Sequence, residues 1–516
     1  VARNITSRFH LHGTLVTQSP LHVGGHGEEV DTDLPLARDG AGQLYVPGTS
    51  LAGALRQWCE AAFDDPSRDY GVDRKPSERV WGFQEGDRGH ASFVVVEDAV
   101  IKNFEMVIVE IRDHVGIDRE YGAAAEHIKY DRAILPRGTI LKLQLTVEVE
   151  KQEKRNLALA MLAALKQALE AGEVCLGAAK TRGLGHVKLT EAQLTEQVLG
   201  TRQGILALLK QANGSVVSPT DIDAAKQDHP AQKRPRLTLK IHWKPAGPLM
   251  VKAGFDGIAA DMLPLVSGCD GQVSLVLPGS SVKGAFRSQA ERIVRTVLGD
   301  VRPNWLGTEG KKKFLDAVKL PLINELFGAA KQTSTKPELG LGALGVIDCF
   351  GQHRLTVAQW QAIQAATDDR QLRQALTAAG LQPWSQAYHV AIDRWLGAAA
   401  ESMLYTMLEP HRTEWEPLTL EVNLQRLTSD VQLPGLALLL LVVRDLANDR
   451  LPLGFATHRG MGTVQVTGLD IQGHDLEGDL VTLEHIQIHN GKLQNLPDVL
   501  TTAWQQWVTQ NREVPA

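Results

Sequence analysis

The chain carries the same three motifs twice, in the same order. Residues 46–56, Val-Pro-Gly-Thr-Ser-Leu-Ala-Gly-Ala-Leu-Arg, return as residues 277–287, Leu-Pro-Gly-Ser-Ser-Val-Lys-Gly-Ala-Phe-Arg, at an offset of 278 − 47 = 231. His114-Val-Gly-Ile-Asp118-Arg119-Glu-Tyr-Gly122 returns as His389-Val-Ala-Ile-Asp393-Arg394-Trp-Leu-Gly397, at an offset of 275. Arg182-Gly183-Leu184-Gly185 returns as Arg459-Gly460-Met461-Gly462, at an offset of 277. Copies this long are domains rather than solenoid turns, so each must bury a core of its own. The offset grows by 275 − 231 = 44 residues between the first and second motifs, which puts an insertion in the second copy, near 352–386. The chain divides into repeat 1 (1–195), a Pro- and Gly-punctuated connector (196–234) with one short helix near 198–211, repeat 2 (235–475) and a tail (476–516) with an amphipathic helix expected near its end.

Both copies read β-α-β-β-α-β, an α+β arrangement. In repeat 1, residues 8–16 and 140–149 alternate as strands, 91–97 is β-rich, 49–63 and 153–171 have helical spacing, and 186–189 is a short strand. Repeat 2 has strands near 237–245, 343–349, 417–423 and 463–469, and helices near 280–297 and 434–447. This is the ferredoxin-like order, shared with RRM-type RNA binders. Residues 99–137 exceed a simple β-β turn and are expected to project as a hairpin or subdomain.

Composition removes several function classes. The apolar fraction of 43% excludes wholesale disorder. The longest apolar run, Leu436 to Val443, falls far short of the roughly 20 residues of a membrane helix. The first residues carry no apolar signal segment, and the four cysteines (Cys59, Cys175, Cys269, Cys349) lie far apart without a CxxC pair, so a cytoplasmic location is expected. A net charge of −6 excludes a uniformly basic coat but not a local basic groove. There is no Walker A pattern, and the His10/His12 and His485/His489 pairs read as surface histidines rather than a zinc site.

The Pro-Gly-[Ser/Thr]-Ser-x-x-Gly-Ala-x-Arg segment, the His-x-x-Ile-Asp-Arg-x-x-Gly segment and the Arg-Gly-x-Gly loop, present twice, resemble the RAMP superfamily. They look like backbone subunits of type III CRISPR effector complexes of the Csm/Cmr kind, here as a fused double copy resembling variant type III-D systems. The resemblance implies two tandem ferredoxin-like RAMP domains with thumb hairpins that kink a guide RNA. It implies binding of CRISPR guide RNA and cleavage of complementary target RNA at regular intervals by a metal-dependent endoribonuclease, with Mg2+ as the expected ion. Partners would be guide RNA, target RNA and the other RAMP-type, large and small subunits of the complex, with no membrane. The alternative is a non-catalytic guide-RNA scaffold of the same fold.

On the resemblance, the cleavage aspartate precedes a short apolar-Pro segment, which maps onto Asp33 of the loop Gly24–Leu36. Such a carboxylate can hold a divalent ion or help deprotonate a ribose 2′-OH. Asp31, two residues earlier on the same face of an extended segment, is the rival. Repeat 2 offers Asp261, with Asp256 as its rival. Asp261 stands three residues before its proline while Asp33 stands two before, which predicts opposite faces and leaves three readings for repeat 2: cleavage by Asp261, cleavage by Asp256, or binding alone. The Pro47-Gly48-Thr49-Ser50 loop opens a helix, with Thr49 or Ser50 as its N-cap, and a helix N-terminus suits phosphate; Arg56, Lys283 and Arg287 are expected to reach the RNA backbone or to pair with internal carboxylates. Lys283 has Ala52 as its counterpart, so the copies should grip unequally. Lys180, Arg182 and Arg459 by the glycine loops, and Arg119 and Arg394 at the thumb base, are the other expected RNA contacts. An Asp–Arg brace within the thumb is the alternative for the last two. His22, with His26, is a further RNA-facing candidate, including as a base for guide processing; Met250 takes the place of His22 in repeat 2.

Overall fold

The computed structural model describes residues 3–25, 32–103, 105, 107–118, 122–210, 214–254, 257–299, 320–329 and 340–512. The chain separates into two compact units. Unit 1 holds residues 1–111, 132–180 and 184–234; unit 2 holds 112–131, 181–183 and 235–516.

Repeat 1 is built from β1 (Ser7–Thr17), α1 (Gly48–Phe63), β2 (Val94–Val96), β3 (Glu110–Ile117), β4 (Ala124–Ile134), β5 (Ile140–Val149), α2 (Gln152–Ala171) and β6 (Val187–Val198), of which residues 112–131 of the β3–β4 hairpin fall in unit 2. Its antiparallel sheet runs β6-β1-β5-β2, the ferredoxin-like order 4-1-3-2 counted over the core strands. Period-two burial explains the strands: Phe9, Leu11 and Leu15 of β1 and Leu141, Leu143, Leu145, Val147 and Val149 of β5 all point inward. Leu51, Leu55, Trp58 and Ala62 of α1 and the Leu/Ala face of α2 cover that side of the sheet. β3 and β4 form the projecting two-stranded hairpin.

The 196–234 segment is not a bare connector. It continues β6 to Val198, then forms α3 (Arg202–Leu209), β7 (Ser215–Val216), which adds to the sheet edge, and α4 (Pro219–Asp228). The Ser218 hydroxyl caps α4 by accepting from Asp221 N (3.1 Å), and Val217 and Ala225 enter the core of unit 1. Two buried apolar side chains and a proper cap hold these residues to the fold, which the polar composition hid.

Unit 2 repeats the plan with β8 (Arg236–Pro245), the ribbon β9 (Val266–Cys269) and β10 (Gln272–Leu277), α5 (Gly279–Leu298), β11 (Leu344–Val346), α6 (Val357–Gln364), α7 (Asp369–Ala378), the hairpin β12 (Ser385–Ile392) and β13 (Ala399–Glu409), β14 (Leu418–Asn423), α8 (Ser429–Ala447) and β15 (Val464–His474). Its sheet order is β11-β14-β8-β15, again 2-3-1-4. The insertion folds as α6 and α7, whose Trp360, Ile363, Leu372 and Leu376 join the core. α8 starts at Ser429, five residues before the expected start at 434, and carries Pro434 inside it, where the missing N–H leaves one helical bond unmade. Residues 476–512 are not a loose tail: β16 (Gln487–His489), β17 (Lys492–Gln494) and α9 (Asp498–Asn511) place Leu483, Ile488, Leu500 and Trp507 in the core of unit 2. All four cysteines are free. No helix among the described residues is long and apolar enough to cross a membrane.

Candidate nucleic-acid interface

The acidic loops occupy equivalent backbone positions in the two copies. In unit 1, Gly25 N donates to Pro35 O (3.2 Å) and Ala133 N to Leu34 O (3.0 Å). In unit 2, Ala253 N donates to Leu263 O (2.9 Å) and Leu408 N to Met262 O (3.0 Å). Along the loop the offset is 253 − 25 = 263 − 35 = 262 − 34 = 228, and 261 − 33 is also 228. Asp33 and Asp261 therefore share one register, and the expected flip of Asp261 to the other face is overturned. The proline moves one place, from 35 to 264, because the ladder uses the carbonyl of residue 35 or 263 and asks no N–H of either proline.

Both aspartates are exposed, but their surroundings differ. Asp261 Oδ2 accepts from Thr406 N (2.6 Å) and from the Thr406 hydroxyl (2.9 Å), which ties the loop to β13. Asp33 sits in a bend between buried Thr32 and Leu36. Asp31, Asp256 and His26 lie outside the described residues. Among the described residues no group of three or more His, Cys, Asp or Glu side chains gathers into a metal cage. Among the described residues the loops present Asp33 and Asp261, and a carboxylate is a ligand that Mg2+ accepts when substrate phosphate and water complete its shell.

The helix N-termini are already taken by carboxylates. Gly48 N donates to Asp98 Oδ1 (2.6 Å) and Gly279 N to Asp348 Oδ1 (2.7 Å). The partial positive end of each helix thus faces an aspartate of its own unit, which corrects the phosphate expectation. Arg56 Nε and Arg287 Nε each donate to a glutamate one turn on, Glu60 and Glu291, at 2.8 Å. Arg287 is committed further, to Gly328 O (2.7 Å) and Asn324 Oδ1 (3.3 Å), and is a brace inside unit 2 rather than an RNA ligand. Lys283, also expected on RNA, is only 5% exposed and donates to Leu344 O (2.6 Å). Burial first, then the charges of Arg182, Arg287 and Arg426, push its pKa down to about 7. His22 is likewise buried, with Nδ1 2.7 Å from Ala133 O, and burial lowers its pKa. It is held to the Ala133 carbonyl and closed off from solvent, which is not the exposed position expected of an RNA contact or a processing base.

Each hairpin carries a stacked histidine and tyrosine, against which the glycine loop sets an arginine. His114 stacks on Tyr130 (ring centroids 5.0 Å apart), and Arg182 Nη1 donates to the Tyr130 hydroxyl (3.2 Å). His389 stacks on Tyr405 (5.3 Å), whose hydroxyl receives Arg459. Arg459 also lies over the Tyr405 and Phe455 rings. Both arginines are exposed, so each is held in place while its remaining donors face solvent. The tyrosines escaped the motif search, although 405 − 130 = 275 is the offset of the hairpin motif itself. In unit 2, Met250, Met407 and Met461, with Met262 packed on them, join the Asp261 loop, the hairpin and the glycine loop in one apolar contact.

Asp118 and Asp393 stand at the hairpin tips, not at the thumb base. Asp118 N donates to Ala123 O and Asp393 N to Ala398 O, both at 2.8 Å, in the same turn of the two ribbons. Asp393 Oδ1 accepts from the N–H groups of Trp395 (2.8 Å) and Leu396 (2.9 Å). Those bonds, Leu396 first, hold its carboxyl below the usual range. Asp393 is a turn cap rather than half of an Asp–Arg brace, and Arg394 is exposed beside it. Trp395 is 94% exposed, so the tip ends in a bare aromatic. Arg119 lies outside the described residues, and Lys180 is half-buried at the start of the turn that carries Arg182.

Two ferredoxin-like repeats, each with an acidic loop, a projecting hairpin and a glycine loop that presents an arginine, make a tandem α+β protein. The chain belongs to the RAMP superfamily, whose family profile matches residues 14–188 and again 264–465. Membership points to a CRISPR-associated RNA-binding subunit. A search of curated proteins returned no match.

Proposed function

We propose that the chain is a double backbone subunit of a type III CRISPR ribonucleoprotein, of the Csm/Cmr kind and fused as in variant type III-D systems, working in the cytoplasm. It holds guide RNA and cuts the paired target RNA once per unit. The observation that carries the reading is the common register of Asp33 and Asp261. Arg182, Arg459 and Arg394, with Lys180, supply the backbone contacts, while Arg56, Lys283 and Arg287 support the fold. Asp33 and Asp261 would hold a divalent ion such as Mg2+, which lowers the pKa of a bound hydroxyl and offsets phosphate charge. The carboxylate itself orients the ribose 2′-OH and accepts its proton as that oxygen attacks the adjacent phosphorus and the 5′-oxygen leaves.

A second reading, a silent scaffold, draws on one observation: Asp261 already spends an oxygen on Thr406. A labelled complementary RNA, incubated with the assembled complex with and without divalent metal, separates the two, once the aspartates of neighbouring subunits are disabled. Two cuts at a fixed separation support the first reading, with Asp33→Ala and Asp261→Ala each deleting one. No cut attributable to this chain leaves the scaffold.

A further inference from the structure

Thr406 of β13 spends every polar atom it has on the Asp261 loop or its neighbour. Its backbone N donates to Asp261 Oδ2 (2.6 Å), its hydroxyl oxygen accepts from Asp261 N (3.0 Å), and its carbonyl accepts from Met262 N (3.0 Å). The hydroxyl proton has two oxygens in reach, Asp261 Oδ2 at 2.9 Å and Ala259 O at 3.4 Å. The Ala259 carbonyl is already served by Gln386 Nε2 (2.6 Å), and the charged acceptor at the shorter distance takes the proton. Oδ2 thus receives both the N–H and the O–H of Thr406, which sets the plane of the carboxylate. Oδ1 is the oxygen left over, on a side chain that faces solvent.

The hydroxyl half of this clamp is peculiar to the second copy. Ala133 donates to Leu34 O as Leu408 donates to Met262 O, so the hairpin strands correspond at 408 − 133 = 275, the offset that also relates Tyr130 to Tyr405. The place of Thr406 therefore falls to Asp131 in repeat 1. An ionised aspartate has no proton to donate from that position. The two copies share the register of their loop acids but not the residue that orients them.

Resting on the cleavage reading above, we infer that Thr406 is the positioning residue of the second cut: it holds Oδ2 of Asp261 so that Oδ1 meets the target ribose. Oδ1 accepts the proton of the 2′-OH, whose oxygen bonds to phosphorus; the P–O5′ bond breaks and the 5′-oxygen takes a proton from water. A general base needs only one oxygen for this, so the bonds on Oδ2 prepare Asp261 rather than disable it. Orientation is the gain, since a catalytic group misplaced by about 1 Å can cost about 10² in rate.

The test is single-turnover cleavage of a labelled complementary RNA by the assembled complex, with the aspartates of neighbouring subunits disabled. The second cut is the one lost in Asp261→Ala, and the first cut serves as the control in the same reaction. Thr406→Val keeps the side-chain shape and the backbone bonds but removes the hydroxyl. It should slow the second cut at least about tenfold and leave the first cut and the affinities for guide and target unchanged. Thr406→Ser returns the hydroxyl and should return the rate. Thr406→Asp, which gives the second copy the residue of the first, should slow the second cut as Thr406→Val does. An unchanged second cut in Thr406→Val overturns the inference and leaves the cleavage reading standing. A loss that extends to the first cut or to target affinity, or that Thr406→Ser fails to rescue, makes Thr406 a mere brace and overturns it too. A wild-type complex with no cut that depends on Asp261 overturns the inference together with the cleavage reading of unit 2.

Discussion

Lys283 illustrates how a residue's surroundings decide its role. Its ammonium is enclosed by α5 and the Leu344 carbonyl, with Arg182, Arg287 and Arg426 as charged neighbours. The folded pKa of about 7 lies below that of an unfolded lysine, so the unfolded chain binds more protons between those values. Stability of unit 2 should therefore rise as pH climbs from about 7 toward about 10. Urea unfolding at several pH values checks this; Lys283→Met should flatten the rise, and an undiminished slope would place the titration elsewhere. Asp33 and Asp261 are the other residue-scale test. Removing either should delete one cut and leave guide binding nearly intact, because a phosphate interface is spread over many contacts.

Among the elements, the start of α5 carries the most concentrated polar energetics. Asp348 satisfies the first N–H of the helix and the guanidinium of Arg112 in a site closed to water. Asp348→Ala would leave a buried arginine without its counter-charge, which typically costs about 3–5 kcal/mol. Differential scanning calorimetry should show that loss in the unit 2 transition. The corresponding Asp98→Ala, at an exposed site, should cost only about 1 kcal/mol, the value of a helix cap. Equal losses at the two positions would mean that Arg112 contributes nothing to the pair.

Across the whole molecule, a chain of net charge −6 must confine its affinity for RNA to a few exposed cations. Arg182 and Arg459 are anchored on tyrosines yet exposed, whereas Arg287 is consumed by the fold. Guide binding measured against salt should lose about 0.7–0.9 of log–log slope for each of Arg182→Ala and Arg459→Ala. Arg287→Ala should lower stability and leave the slope unchanged. A slope reduced by Arg287→Ala would return that residue to the interface.

The doubling, the ferredoxin-like order in each copy and nearly all the core strands and helices were legible along the chain alone. Each of these rests on periodicity or on local motifs, and both survive in one dimension. Even Tyr130 and Tyr405 were legible, since they share the offset of the motif beside them. Which charges are consumed by the fold became visible only once the strands and loops closed over them. Lys283 and His22 look exposed in sequence because a polar residue in a motif carries no mark of burial; distant strands close over them. The helix starts looked ready for phosphate because the aspartates that fill them, Asp98 and Asp348, lie 50 and 69 residues further along. The register of Asp261 likewise depended on hydrogen bonds to the hairpin strand and not on its distance from a proline, because a backbone ladder, once closed, fixes which face each side chain takes.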